Sequence, residues 1–384
     1  MIQYPIYLDY NATTPVDHRV MDVMAPFFTT HFGNAASRTH AYGWVAEEAV
    51  DIAREQVASL IGAVSSEIIF TSGATEAVNL AIRGVYETYH AKGKHIITCN
   101  IEHKAVLDSC HYIESIGAEV TTLKVSSTGL PDLDALEKAI RPDTILIAIM
   151  YANNEIGTIM PVKEVGALAK KHNVLFFCDA TQAVGKIPVD VLKDNIDLLC
   201  FSAHKMYGPK GAGALYVRRK SPRVKLSPLQ YGGGHERGMR SGTLNVPGIV
   251  GLGKACEICR TEMDAEAVRL KKLRDMFLDA LLQFGCTSLN GSGEFLLPHV
   301  ANVSFNFNGS NQLINKLNKQ IAVSLGSACT SASTEPSYVL KAIGISDELA
   351  AGSIRFSLGR FTTEENIKDA IGYIREVVKA EMTN

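Results

Sequence analysis

The sequence predicts an α/β protein: a large domain with a mostly parallel seven-stranded sheet, joined to a smaller α+β domain. Three observations carry this expectation. Between residues 67 and 217, seven short apolar, β-branched runs alternate with amphipathic stretches, as strands and covering helices do in a parallel sheet. A nearly unbroken helical pattern then runs from 248 to 284, and after it the order changes to strand, helix, strand, helix. The length of 384 residues exceeds what one core usually organises, so two domains are expected.

In chain order, the strands are expected at EIIF (67–70), HIITC (95–99), EVTTL (119–123), TILIAIM (144–150), VLFFC (174–178), DLLCF (197–201) and GALYV (213–217). Their nearly continuous apolar character suits strands covered on both faces. PDLDALEKAI and PVKEVGALAKKH read as intervening helices. In VRLKKLRDMFLDALLQF apolar residues recur at three- and four-residue steps, so 248–284 reads as one long helix bridging two lobes. The smaller domain follows as a strand (300–307), a helix over SNQLINKLN, a small-residue loop, a strand (353–358) and a closing helix (363–381). The expected division is 14–260 for the large domain, with 1–13 and 261–384 forming the small one.

Composition narrows the function classes. Hydrophobic residues make up 46% and charged residues 20%, an ordinary soluble balance. A net charge of −2 provides no general drive toward nucleic acid or an anionic membrane. The basic run Arg218, Arg219, Lys220, Arg223 and Lys225 reads as a solvated loop. MIQYPIYLDYNATTP lacks a basic segment joined to an apolar one, and no apolar stretch approaches the roughly 20 residues of a membrane helix. Eight cysteines without framework spacing suggest reduced thiols and a cytoplasmic location. Cys256 and Cys259 form a CxxC inside a helical pattern, with no second pair or histidine at ligand spacing, so no metal site is expected.

Chemistry is expected at the carboxyl ends of the strands, where open α/β sheets collect ligands. TSGATEAVNLAI (71–82) follows the strand EIIF. There Gly73 permits close backbone approach, and Ala74 and Thr75 open a helix whose N–H groups can hold a phosphate. An ordinary helix cap is the equal alternative. FCDATQ (177–182) and FSAHKMYGPKG (201–211) place Asp179 and Lys205 after two apolar strands. An acid paired with a pyridinium nitrogen and a lysine forming a Schiff base are the recurrent signature of pyridoxal 5′-phosphate (PLP). LGSACTSAS (325–333) surrounds Cys329 with small residues, which marks an accessible thiol rather than a core cysteine.

Together these segments resemble the cysteine desulfurases of the IscS/NifS family, most strongly the IscS type. The resemblance runs nearly end to end through YLDYNATTPVD, FTSGATEAVNLAI, IEHKAV, NNEIG, DATQAVGK, FSAHKMYGPKG, RRK, GGGHERGMRSGT, GSACTSASTEPSYVL and SIRFSLGRFTTEE. It implies the fold type I architecture of PLP-dependent transferases. By similarity, Lys205 carries PLP, Asp179 keeps its ring nitrogen protonated, and His103 stacks on the ring and moves protons. Gln182 and Asn153 match positions near the phenolic oxygen and the substrate. Ala74, Thr75, Ser202 and His204 match the phosphate site, with Thr243 reaching in from a second subunit of a homodimer. Arg355 matches the substrate-carboxylate clamp, and Cys329 the thiol that takes sulfur from L-cysteine and leaves L-alanine. The implied partners are L-cysteine and a sulfur acceptor such as an iron–sulfur scaffold, where Cys329 transiently meets the cluster.

Two departures accompany the match. GNAASRTH has alanine where family members commonly have proline. The chain also ends at Asn384, where many IscS-type proteins continue into a tail that helps dock the scaffold. GSACTS argues against an aminotransferase, while selenocysteine lyase or another PLP enzyme of this fold stays open as the alternative. A non-catalytic relative is disfavoured, because Lys205, Asp179 and Cys329 are all present.

Overall fold

The computed structural model describes residues 5–325 and 336–382. The chain enters on a two-residue strand, β1 (Ile6–Tyr7), followed by α1 (His18–Met24), α2 (Pro26–Thr29) and α3 (Ala41–Leu60). The main sheet comprises β2 (Ile68–Thr71), β3 (His95–Cys99), β4 (Glu119–Leu123), β5 (Thr144–Ala148), β6 (Leu175–Asp179), β7 (Leu198–Ser202) and β8 (Gly213–Val217). Interleaved with these are α4 (Ala74–Tyr89), α5 (Lys104–Ser115), α6 (Leu133–Ala139) and α7 (Val162–Lys171).

The strand order is β2-β8-β7-β6-β5-β3-β4. Pairing is parallel except at β8, which runs antiparallel to both β2 and β7. Side chains alternate across the sheet, so Phe176 and Cys178 of β6 enter one core while Phe177 enters the other. Covering both faces is what made these strands read as continuous apolar runs.

One long helix, α8 (Val246–Leu282), joins two cores. Its first half packs Ile249, Leu252 and Cys256 against the main sheet, and its second half packs Leu270, Leu273 and Phe277 into a separate cluster. That cluster includes residues of β10 (Val300–Phe305), which pairs antiparallel with β9 (Thr287–Leu289) and β12 (Ser353–Ser357). The short elements α9 (Leu313–Leu317), β11 (Ile321–Ala322), α10 (Tyr338–Ala342) and α11 (Asp347–Ala351) lie between, and α12 (Glu364–Met382) closes the chain. β1 pairs in parallel with β11, and Leu8 is buried in this third core. Among the described residues no helix is long and apolar enough to cross a membrane.

Two local expectations, the SNQLINKLN helix and the solvated Arg218, need correction, and two buried residues add to the picture. The helix expected over SNQLINKLN is a 3-10 turn at 310–312 followed by the five-residue α9, because Gly309 turns the chain immediately before it with φ of 86°. Cys286 lies in neither a strand nor a helix, but in the bend before β9, and is still buried. Arg218 is not a solvated charge: it pairs with Asp197 at 3.0 Å and donates to the carbonyl of Ile196. The glycine-rich GGGHERG also hides a buried anchor. Glu236 receives both Nη groups of Arg54 at 2.7 Å each and the backbone N–H of Phe70 at 2.7 Å.

Glu236 thereby ties α3 and β2 to a polar loop, with both charges out of water. Removing one partner of such a pair strands the other charge. Glu236→Ala should cost about 3–5 kcal/mol, with Glu236→Gln costing less because its oxygen still accepts from Phe70. Chemical denaturation compares the two, and equal stability of Glu236→Ala and wild type would contradict this account.

Candidate active site

The carboxyl ends of β6 and β7 lie side by side, with Asp179 in register with Cys200. They open on a cavity of about 410 Å³ lined by residues from both ends of the chain, from Asn11 to Arg355. Ala74, Thr75, His103, Asp179, Gln182, Ser202, His204, Lys205 and Arg355 all line it. Nine of the residues singled out in the sequence are therefore gathered at one place.

Lys205 ends a short 3-10 turn, Ala203–Lys205, directly after β7. Its Nζ donates to the carbonyls of Asn11 at 2.5 Å and Ala12 at 2.8 Å. Asp179, the last residue of β6, is buried, and one carboxylate oxygen accepts from Thr181 N and Oγ1. His103 caps the N-terminus of α5, its Nδ1 accepting from Ala105 N at 3.1 Å. That bond leaves the proton of a neutral ring on Nε2.

Gly73 is the N-cap of α4 and contributes no side-chain bond, while Glu76 in the first turn reaches back to accept from Ser72 N at 2.7 Å. A close approach makes room for this turn: a Cβ at Gly213 would lie 2.7 Å from the Cα of Gly73. Ser202 and His204 face the same space from the end of β7, and His204 Nδ1 bonds Thr13 Oγ1 at 3.1 Å. Burial, then the nearby charges of Lys205 and Lys210, push His204 down to about 4.

Arg355 is buried on β12, donating to the carbonyl of Asn154 at 2.9 Å and to Asp9 at 2.7 Å, while its Nε has no partner. Gln182 donates to the Asn11 carbonyl at 3.1 Å, and its Oε1 is buried without a partner. Asn153 is a correction. Its side chain is used beneath the cavity, donating to the Ile101 carbonyl and accepting from Glu155 N and Ile156 N. The turn it stabilises turns the next amide inward, so Asn154 lines the cavity, with its Oδ1 buried and without a partner. Thr243 is exposed and does not line this chain's cavity. Its loop is tied to the first turn of α4 through the Arg240–Glu76 pair at 2.7 Å.

Cys329 lies outside the described residues. The seven described cysteines are free and buried. Burial pushes Cys110 up to about 12 and Cys259 to about 11, and holds Cys99, Cys178, Cys200 and Cys256 well above the ordinary thiol range. None of these six is a thiolate near neutral pH. No group of described residues could hold a metal ion. Asn11, Ala12, Ser72, Glu76, Thr181 and Lys210 also line the cavity without having been singled out. Asn11 had a signal only in the motif YLDYNATTPVD, which carried no assigned role.

The depressed His204 has a testable consequence. Unfolded, it takes up a proton near 6.5; folded, only near 4. Between those values the unfolded chain binds more protons, so this group lowers stability as pH falls through the window. His204→Gln should flatten the dependence of Tm on pH between about 6.5 and 4 relative to wild type. Parallel Tm curves for the two proteins would remove the assignment.

Comparisons with known proteins give the family. Residues 6–369 match the class-V aminotransferase family. The chain is 57% identical to the cysteine desulfurase IscS of Anaeromyxobacter dehalogenans, over 98% of this chain and 93% of that protein. It is 56% identical to the IscS of Mannheimia succiniciproducens, over 98% and 94%. Among solved structures, a NifS-like protein superposes with a TM-score of 0.91 at 41% identity, covering 98% of this chain and all of that one. SspA in complex with cysteine superposes at 0.82 with 38% identity, covering 93% and 99%. The fold, the gathered residues and these relatives lead to one conclusion: the chain belongs to the class-V aminotransferase family, in its branch of IscS/NifS cysteine desulfurases.

Proposed function

We propose that this protein binds PLP and transfers the sulfur of L-cysteine to Cys329, releasing L-alanine. The observation that carries the reading is the pairing of Lys205 and Asp179 at adjacent strand ends, in a cavity where Gln182 Oε1, Asn154 Oδ1 and Arg355 Nε are buried without partners. Orphaned polar atoms at one cavity favour a polar ligand there. The start of α4, with Ser202 and a neutral His204, suits a phosphate. Asp179 suits a protonated ring nitrogen, and Lys205 is the amine beside it.

When bound, PLP supplies an electron sink that weakens the bonds at the substrate's α- and β-carbons. The protein's own groups do the rest. Arg355 presents a guanidinium fork to the substrate carboxylate. Lys205 Nζ accepts and returns the α-proton, and His103 offers a second proton site at Nε2. The Cys329 sulfur forms an S–S bond with the substrate sulfur as the Cβ–S bond breaks.

The same reading divides the chain into 14–260 and a small domain of 1–13 with 261–384, in keeping with the separate core around Leu8, Phe277 and Phe356. It makes the protein a homodimer, in which Thr243 completes the partner's phosphate site. Phe28, Phe32, Tyr42 and Trp44 are exposed close together in sequence, and a dimer would cover such a surface. The sulfur acceptor is an iron–sulfur scaffold or a similar carrier, and free thiols suit a reducing cytoplasm.

Cys329→Ser should still bind L-cysteine and change the visible absorbance, while releasing little alanine and carrying no persulfide. Alanine assays with mass spectrometry measure this, and wild-type alanine release would mean that the sulfur goes to a thiol other than Cys329. Sedimentation should give a dimer, and Thr243→Ala should weaken PLP retention about tenfold, the equivalent of one charge-assisted hydrogen bond. An active monomer would sink both assignments.

A further inference from the structure

Asn11 is buried where three elements meet, and every polar group it has is used. Its N–H donates to Ser357 Oγ at 2.9 Å, and its Nδ2 donates to the Asn154 carbonyl at 3.1 Å. His299 Nε2 lies 2.9 Å from its Oδ1. Its own carbonyl accepts from Lys205 Nζ at 2.5 Å and Gln182 Nε2 at 3.1 Å. Because Asn11 Nδ2 is the donor to Asn154, Oδ1 must accept and His299 Nε2 must carry the hydrogen.

His299 is itself fixed. It is fully buried just before β10, and its carbonyl accepts from Leu358 N at 2.8 Å. Nδ1 is buried without a partner. Burial, with Lys186, Arg274 and Arg355 nearby, holds its pKa well below the usual range. The ring therefore stays neutral in one tautomer, a permanent single donor to Asn11.

We propose that Asn11, locked by His299, is a positioning residue for the Lys205 amine. The lock sets the peptide planes of 11–12, and so the two carbonyls to which Lys205 donates. Those carbonyls fix where the amine stands when it exchanges protons with substrate. The same lock reaches Arg355, because Asn11 and Arg355 share the Asn154 carbonyl. Arg355 keeps its separate contact with Asp9, so the larger effect falls on the amine. Neither residue touches the reacting atoms through its side chain; both act through Lys205.

The inference rests on Lys205 as the PLP lysine, and the test separates the two ideas. Holoenzyme of wild type, Lys205→Ala, Asn11→Ala, His299→Leu, His299→Gln and the double variant Asn11→Ala/His299→Leu is titrated by visible absorbance against pH, with kcat, KM and Tm measured alongside. Wild type should show a titrating visible band that Lys205→Ala lacks; no such band in wild type would sink the parent reading. Carbonyl acceptors favour a protonated nitrogen, so Asn11→Ala and His299→Leu should each lower the midpoint by about half a pH unit, the size of one lost hydrogen bond. Their kcat should fall on the order of 10- to 100-fold, as misplaced groups do, with KM for L-cysteine little changed. His299→Gln, which retains an N–H donor, should recover most of both. Because the two residues act as a unit, the double variant should be no worse than Asn11→Ala alone. A His299→Leu enzyme with lowered Tm but wild-type midpoint and kcat would overturn the proposal, leaving the histidine a support of the fold. If His299→Leu does not fold, Asn11→Ser decides: a wild-type midpoint there overturns the proposal equally.

Discussion

The constraint on which the rest depends is the parallel pairing of β6 with β7. Parallel strands in register end on the same edge, so Asp179 and the turn carrying Lys205 arrive together. The backbone ladder does the aligning, and it is anchored by fully apolar neighbours such as Phe176, Phe177, Leu199 and Phe201. An acid and a base are thereby held at adjacent strand ends, at the edge where polar backbone groups must find partners in loops or ligands. Everything else at the site is brought to that edge: the start of α4, His103 capping α5, and Arg355 from β12.

The main sheet was legible because its physics is local. Strands at 95–99, 119–123 and 213–217 have the expected bounds, and β6 and β7 each lie one residue later than expected, ending on Asp179 and Ser202, because the ladder continues through the polar residue. What could not be read is non-local or decided by a turn. The pairing of β1 with β11 joins two dipeptides more than three hundred residues apart, too short to show any periodicity. Asn153 and Asn154 are chemically identical neighbours, and only the turn determines which amide is spent on the backbone. Nothing local marks Glu236 as buried in its glycine-rich segment, because its partner Arg54 comes from a helix far earlier in the chain.

Burial also sorts the thiols. Six of the described cysteines sit in strands or helices that hide them from water, where the charged form is costly. A sulfur-handling protein with many reactive thiols would scatter persulfides over its surface. Here the apolar cores keep those six sulfurs as small hydrophobes.

The strap formed by residues 8–14 has a consequence for how the molecule is made. Leu8, Asn11 and Thr14 are held by Ala322, Ser357, His299 and His204. These residues leave the ribosome well before the partners that seat them. The main sheet can close once residue 217 has emerged, whereas the seat of the Lys205 amine needs a strand ending at Ser357. During synthesis every strand of the main sheet is therefore present well before the site can be completed. The seat of the amine is complete only when residues 8–14 meet His299 and Ser357.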